Sequence, residues 1–160
     1  MEKINLPAVP LQTLRRNKAS KIIYWISTIW LALGMVSTGL VQLTKQVAEG
    51  ATAPPGVWGI TKLGYPIYFL TIIGVWKILG AIAVLIPKFP LLKEWAYAGF
   101  FFTMTGAIFS HIAIGDTANE ILPSLLLLLL TVTSWYFRPA NRKIILPSSV
   151  NTFGAGVQVA

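Results

Sequence analysis

The sequence predicts an all-α protein, a transmembrane four-helix bundle with both termini cytoplasmic, and three observations carry that prediction. Hydrophobic residues make up 55% of the chain and charged residues only 11%, at a mean hydropathy of +0.69, whereas soluble domains carry about 25% charged residues. Four apolar stretches of bilayer-crossing length are separated by proline, glycine and charged residues. Basic residues cluster at the ends of these stretches on one side. With 160 residues there is room for one compact bundle and no separate soluble domain.

The organisation expected is a cytoplasmic segment over 1–20, a membrane domain over 21–138 and a flexible cytoplasmic tail over 139–160. The opening segment holds Pro7 and Pro10 and ends in Arg15, Arg16, Lys18 and Lys21. The apolar run after it, Ile22 to Leu43, exceeds a signal-peptide core of about 7–15 residues and reads as an uncleaved first span. Tyr24 and Trp25 anchor it at an interface. Residues 44–65 contain Pro54-Pro55-Gly56, which forbids a continuous helix, and Trp58, Ile60 and Tyr65, which would lie against the membrane surface. This reads as an interfacial loop, with a lid or re-entrant segment as the alternative.

Pro66 opens a second span of about 66–86, stopped by Pro87 and Pro90. Lys88 and Lys93 mark a tight turn into the third, about 95–114, and Glu94 beside them suits a helix N-terminus. After a short acidic turn at Asp116, Asn119 is the expected cap of the fourth span, about 121–137, with Pro123 tolerated near its start. Its six leucines, Leu125 to Leu130, read as the most lipid-exposed surface. Lys3, Arg15, Arg16, Lys18, Lys21, Lys88, Lys93, Arg138, Arg142 and Lys143 fall on one side of this layout and only Lys45 and Lys62 on the other. That asymmetry puts the termini inside. The net charge of +8 is therefore topology and headgroup contact, and nucleic acid is not an expected partner.

Zero cysteines exclude disulfides, thiol redox chemistry and thiolate metal sites. A single histidine offers neither bis-histidine haem ligation nor metal-ligand spacing, so no metal is expected. Phosphate loops and Ser/His/Asp orderings are missing too. Chemistry is left to a few intramembrane polar groups. Lys77, in the middle of the second span, is the costliest of them, roughly 2.5–3.5 kcal/mol on insertion scales. It is either a functional group or a snorkelling or paired structural one. His111 is either a structural group bonded to Asp116, Ser110 or a loop carbonyl, or a proton carrier. Helix direction and register put the Lys77 and His111 backbones about 9 Å apart in depth, a gap that a lysine stem and a bridging water or ligand group would close. The catalytic candidates are thus Lys77, His111 and Asp116, and the ligand-binding candidates Ser110, Gln42, Trp76 and Glu94. Gly99, Thr103, Gly106 and Ser110 recur at helical spacing and form a small-residue face suited to close helix packing.

Gly74 to Asp116 resembles the DoxX-like family of small membrane proteins. The pieces that match are KILGA with a proline after it, KEWAYAGF, and the G-A-x-x-S-H-x-x-x-G-D run; SWYFRP at Ser134 to Pro139 resembles the family's fourth-helix end. The resemblance implies a four-helix bundle in a plasma membrane, bacterial inner membrane included, and a link to quinone-dependent sulfur oxidation or oxidative-stress complexes; more distant relatives are assembly chaperones or cargo receptors. It carries over Lys77, Glu94, Ser110, His111 and Asp116 as site candidates. The expected function is an intramembrane pocket for a small lipid-soluble ligand, with a quinone as the cofactor class. The alternative is a non-enzymatic assembly protein that meets copies of itself or a membrane partner through the small-residue face or the lipid-facing fourth span. A third reading is an isomerase using His111 and Asp116 as acid and base.

Overall fold

A computed structural model describes residues 11–44, 63–139 and 142–143. The expectations for the opening segment before residue 11, for most of the first loop with Trp58, Lys45 and Lys62, and for the tail beyond Lys143 lie outside the described residues. The described residues form four helices: α1 Leu11–Leu43, α2 Ile67–Leu85, α3 Pro90–Ala113 and α4 Ala118–Tyr136. No strand occurs among the described residues. All four are long and apolar enough to cross a membrane, with α1 qualifying over Lys18–Leu43.

Each helix packs on its chain neighbours and α4 closes back on α1, giving a ring in chain order. The start of α1, the end of α2, the start of α3 and the end of α4 consequently share one end. That end collects Lys93, Arg138 and Arg142 and is called the basic end below.

The inward faces follow the helical period. On α1 the buried positions include Tyr24, Thr28, Leu31, Met35 and Gln42; on α2 they include Leu70, Lys77, Ala81 and Val84. On α3 they are Lys93, Tyr97, Phe100 and Met104. Leu31, Met35, Ala81, Val84, Tyr97, Phe100 and Met104 form the core, and Leu127, Leu128 and Leu130 pack against it. As the leucine run foretold, α4 has the smallest buried share of the four.

Two glycines set how closely α1 and α2 approach. A Cβ on Gly74 would lie 2.9 Å from the Gly39 carbonyl oxygen, and one on Gly39 would lie 3.1 Å from the Gly74 oxygen. Small residues thus let two backbones touch, as membrane helix packing favours. On α3, by contrast, Cβ atoms at Gly99 and Gly106 would meet nothing within 4 Å. The expected packing stripe therefore makes no close helix contact within the chain at those two positions.

The turns are chemically specified. Lys88 and Phe89 both take positive φ, 68° and 50°, which swings the chain from α2 into α3 within a few residues. Pro90 then occupies the first turn of α3, where its missing N–H costs nothing. This places Glu94 beyond the first turn, so the capping role expected of it is not the one it has. The α4 cap also differs from expectation. Thr117, not Asn119, is the N-cap, because Thr117 and Glu120 have the spacing of a capping box.

A buried chain of hydroxyls joins three helices. Thr28 Oγ1 donates to the Tyr24 carbonyl at 2.6 Å, which uses its only proton. Ser134 Oγ must then donate to Thr28 Oγ1 at 2.6 Å, and Tyr97 OH to Ser134 Oγ at 2.7 Å. Every proton in that chain has an acceptor, so α3, α4 and α1 are joined without an orphaned polar group.

Candidate functional site

A cavity of about 270 Å³ lies between α2 and α3. Its mouth is formed by Trp76 and Trp95, which are 67% and 70% exposed and so face the surroundings of the bundle. Phe100, Gly99 and Thr103 form its α3 wall, and Lys77, with 8% exposure, stands at its inner side. Local sequence explains the gap. A Cβ on Gly80 would collide with the Phe100 ring at 2.6 Å, so the glycine lets that ring seat against α2. Immediately before Phe100, Gly99 contributes no side chain and leaves the space open.

Within this apolar wall Lys77 is poorly compensated. Its Nζ donates to Thr38 Oγ1 across α1 at a long 3.4 Å, and Thr38 gives its own proton to the Gly34 carbonyl at 2.7 Å. The carboxylates that the structure describes are engaged elsewhere. Glu94 pairs with Arg138, Asp116 with His111, and Glu120 caps the Thr117 amide. Among the described residues, the three N–H donors thus share one distant acceptor.

His111 belongs to a different place. Its Nδ1 lies 2.6 Å from Asp116 Oδ2, and the side chains are 12% and 2% exposed. Gly115 at φ 74° ends the helix and folds the chain back, so the Asp116 amide also bonds the His111 carbonyl at 3.0 Å. With Asp116 ionised, Nδ1 carries the proton and Nε2 is the basic nitrogen. One residue earlier, Ser110 Oγ donates to the Gly106 carbonyl and accepts from Tyr65 OH at 3.1 Å, and Tyr65 stacks on Phe69.

The single niche expected for Lys77 and His111 is therefore two sites. Trp76, Lys77, Gly99 and Thr103 share the groove. Ser110, His111 and Asp116 form a knot about 12 Å further along α3 from Thr103, and none of them lines the groove. Lys77 reaches across to α1 while the Gly115 turn hands His111 to Asp116, which is why register alone misjudged the pair. Gln42 is buried near the end of α1 with Oε1 unpartnered. Glu94 lies at the opposite, basic end, accepting from Trp135 Nε1 at 2.9 Å and from Arg138.

A model of the DoxX-like family matches residues 26–134. The chain belongs to the DoxX-like family. That match takes in the groove, the His111–Asp116 knot, the second half of α1 and all of α4 but its last two residues. Comparison with curated proteins and with solved structures gave no match. Family membership and four apolar helices together make this a multi-pass membrane protein that sits in a lipid bilayer.

What sequence reasoning missed lies at the basic end of this DoxX-like bundle. Lys93 is fully buried, and its ammonium donates to the carbonyls of Ala83 at 2.9 Å, Val84 at 2.8 Å and Ile86. It satisfies the open carbonyls at the C-terminus of α2. The available signal was its place, a few residues past the Pro87–Pro90 turn and so beside the helix end that needs donors.

Proposed function

We propose that the protein takes a small lipid-soluble molecule from the bilayer into the α2–α3 groove and presents Lys77 to an acceptor oxygen of that molecule. The observation that carries this reading is the ammonium of Lys77 at the inner side of an apolar cavity, with one long hydrogen bond and no carboxylate partner among the described residues. A buried ammonium with so little compensation is costly, and a ligand oxygen would offset the cost. The two tryptophans at the mouth suit a flat ring. A quinone fits, with carbonyl oxygens for Lys77 and a ring for the tryptophans. His111 and Asp116 would exchange protons at the far end and not at the ligand. In this reading the positive-inside asymmetry places the basic end in the cytoplasm of a plasma or bacterial inner membrane.

The test is quenching of Trp76 and Trp95 fluorescence by decylubiquinone in nanodisc-reconstituted protein. Saturable quenching that disappears in Lys77→Met supports the reading. Equal quenching in both, or none in either, refutes it.

A second reading is favoured by the outward face of α3. Gly106 has open space above it, and Phe102 and Phe109 are more than 70% exposed on the same helix. A membrane assembly protein would close this face with a partner or a second copy, using the small residues for approach.

A further inference from the structure

At the basic end, beyond the Trp95 side of the groove, Lys93 and Arg142 gather beside the Arg138–Glu94 ion pair. Lys93 is fully buried, Arg138 is 4% exposed and Arg142 is half-buried. Lys93 spends its donors on the α2 carbonyls. Arg142 Nη1 donates to Tyr24 OH at 3.1 Å and to the Val84 carbonyl at 3.3 Å, with its guanidinium 4.8 Å from the Trp25 ring. Arg138 gives one nitrogen to Glu94 and lies 5.4 Å from the Tyr97 ring centre, while its Nε and Nη1 are buried with no partner. Glu94 is the one carboxylate paired with these cations among the described residues.

Both the charge and the donors are out of balance. Burying cations with too few anions is strongly unfavourable, and guanidinium groups match the planar oxygens of phosphate. Trp25, Trp135 and Tyr136 surround this end with exposed rings, as side chains at headgroup depth do. The Glu94 side chain is itself 30% exposed, so its carboxylate can turn to solvent without being buried anew.

We propose that the basic end is a binding site for a phosphate group, held by Arg138 and Arg142, with Glu94 as the internal anion that occupies Arg138 until the phosphate replaces it. The phosphate belongs either to an anionic phospholipid headgroup or to a free ion, since both offer the same oxygens.

The experiment uses the full chain in phosphatidylcholine nanodiscs, with two arms. One replaces part of the lipid with phosphatidylglycerol and scores retained lipid by native mass spectrometry. The other adds inorganic phosphate and follows the thermal midpoint. The expected result is preferential retention of phosphatidylglycerol, lowered about fivefold by Arg142→Gln and by Arg138→Gln, and raised by Glu94→Gln, which removes the competitor. Lys18→Gln, at an exposed lysine on α1, leaves the preference unchanged and so separates a site from general attraction to basic protein. A midpoint that rises with millimolar phosphate and responds to the same variants, without lipid preference, assigns the site to the free ion. Should Arg138→Gln fail to fold, Arg142→Gln and Glu94→Gln decide. The proposal is overturned if neither arm shows binding, if Lys18→Gln matches Arg142→Gln, or if Glu94→Gln weakens retention.

Discussion

Lys77 of α2 and Thr38 of α1 face each other across 3.4 Å, and no carboxylate among the described residues joins them. The lysine is buried in the middle of a membrane helix, and among the described residues the pair leaves most of the ammonium's bonding capacity unused. Such a residue lowers stability, and in the proposed reading a ligand oxygen offsets that cost. Replacement by methionine, which fills similar space without a charge, is therefore expected to raise stability while abolishing ligand binding. The gain should be about 1–3 kcal/mol, bounded by the insertion cost of a central lysine. Thermal melts of the two proteins in one detergent check the first half, and quinone quenching of tryptophan fluorescence the second. A less stable Lys77→Met protein would mean that the ammonium is structurally satisfied.

The groove and the His111–Asp116 pair should come apart on mutation. The cavity wall ends at Thr103, two turns short of His111. His111→Ala and Asp116→Asn are accordingly expected to leave the ligand dissociation constant within about twofold, a change near the size of thermal energy. Gly99→Leu, which fills the open space in the wall, should abolish binding with the fold intact. Titration of all three variants with the same quinone gives the answer. A tenfold loss in His111→Ala would restore a joint site.

Glycines that look alike in sequence should behave oppositely. At Gly74 a Cβ meets a backbone oxygen at 2.9 Å, which no side-chain rotation relieves. Gly74→Val should separate α1 from α2 and cost about 1–3 kcal/mol as an overpacking change. Gly106→Ile adds bulk into open space and should leave the monomer's melting temperature unchanged. If the α3 face holds a partner or a second copy, the same Gly106→Ile should abolish that association in cross-linking, with Lys77→Met leaving it intact.

The fold was legible because hydrocarbon length and backbone satisfaction leave few alternatives to four helices of this composition. Lys77 was legible as well, being a charge inside an apolar run. The cavity beside it was not, since it depends on Phe100 seating on Gly80 and on Gly99 facing nothing, a matter of neighbours rather than of period. The small-residue signal was read on α3, although the close helix approach is made by Gly39 and Gly74. Spacing reveals a small face without saying which helix comes to it. Lys93, Arg138 and Arg142 were counted as markers of topology, and the structure gives them hydrogen bonds to helix-end carbonyls, to Glu94 and to Tyr24. Glu94 misled for the related reason that its helix begins at Pro90, so its carboxylate reaches across to α4 instead of back to its own first turn.

The hydroxyl chain from Tyr97 through Ser134 to Thr28 yields a last test, because its direction is fixed. Thr28 spends its proton on the Tyr24 carbonyl, so Ser134 is acceptor to Tyr97 and donor to Thr28 at once. Ser134→Ala removes both roles and strands a phenol in a site with 2% residue exposure. Tyr97→Phe removes only a donor and leaves Ser134 with its bond to Thr28. Ser134→Ala should therefore cost more than Tyr97→Phe, about 1–3 kcal/mol against about 0.6 kcal/mol for one membrane hydrogen bond. Combining them should cost less than the sum of the two, since an absent phenol cannot be stranded. Unfolding of the two single mutants and the double mutant in mixed micelles measures that coupling. Strict additivity would show that the three hydroxyls do not act as one chain.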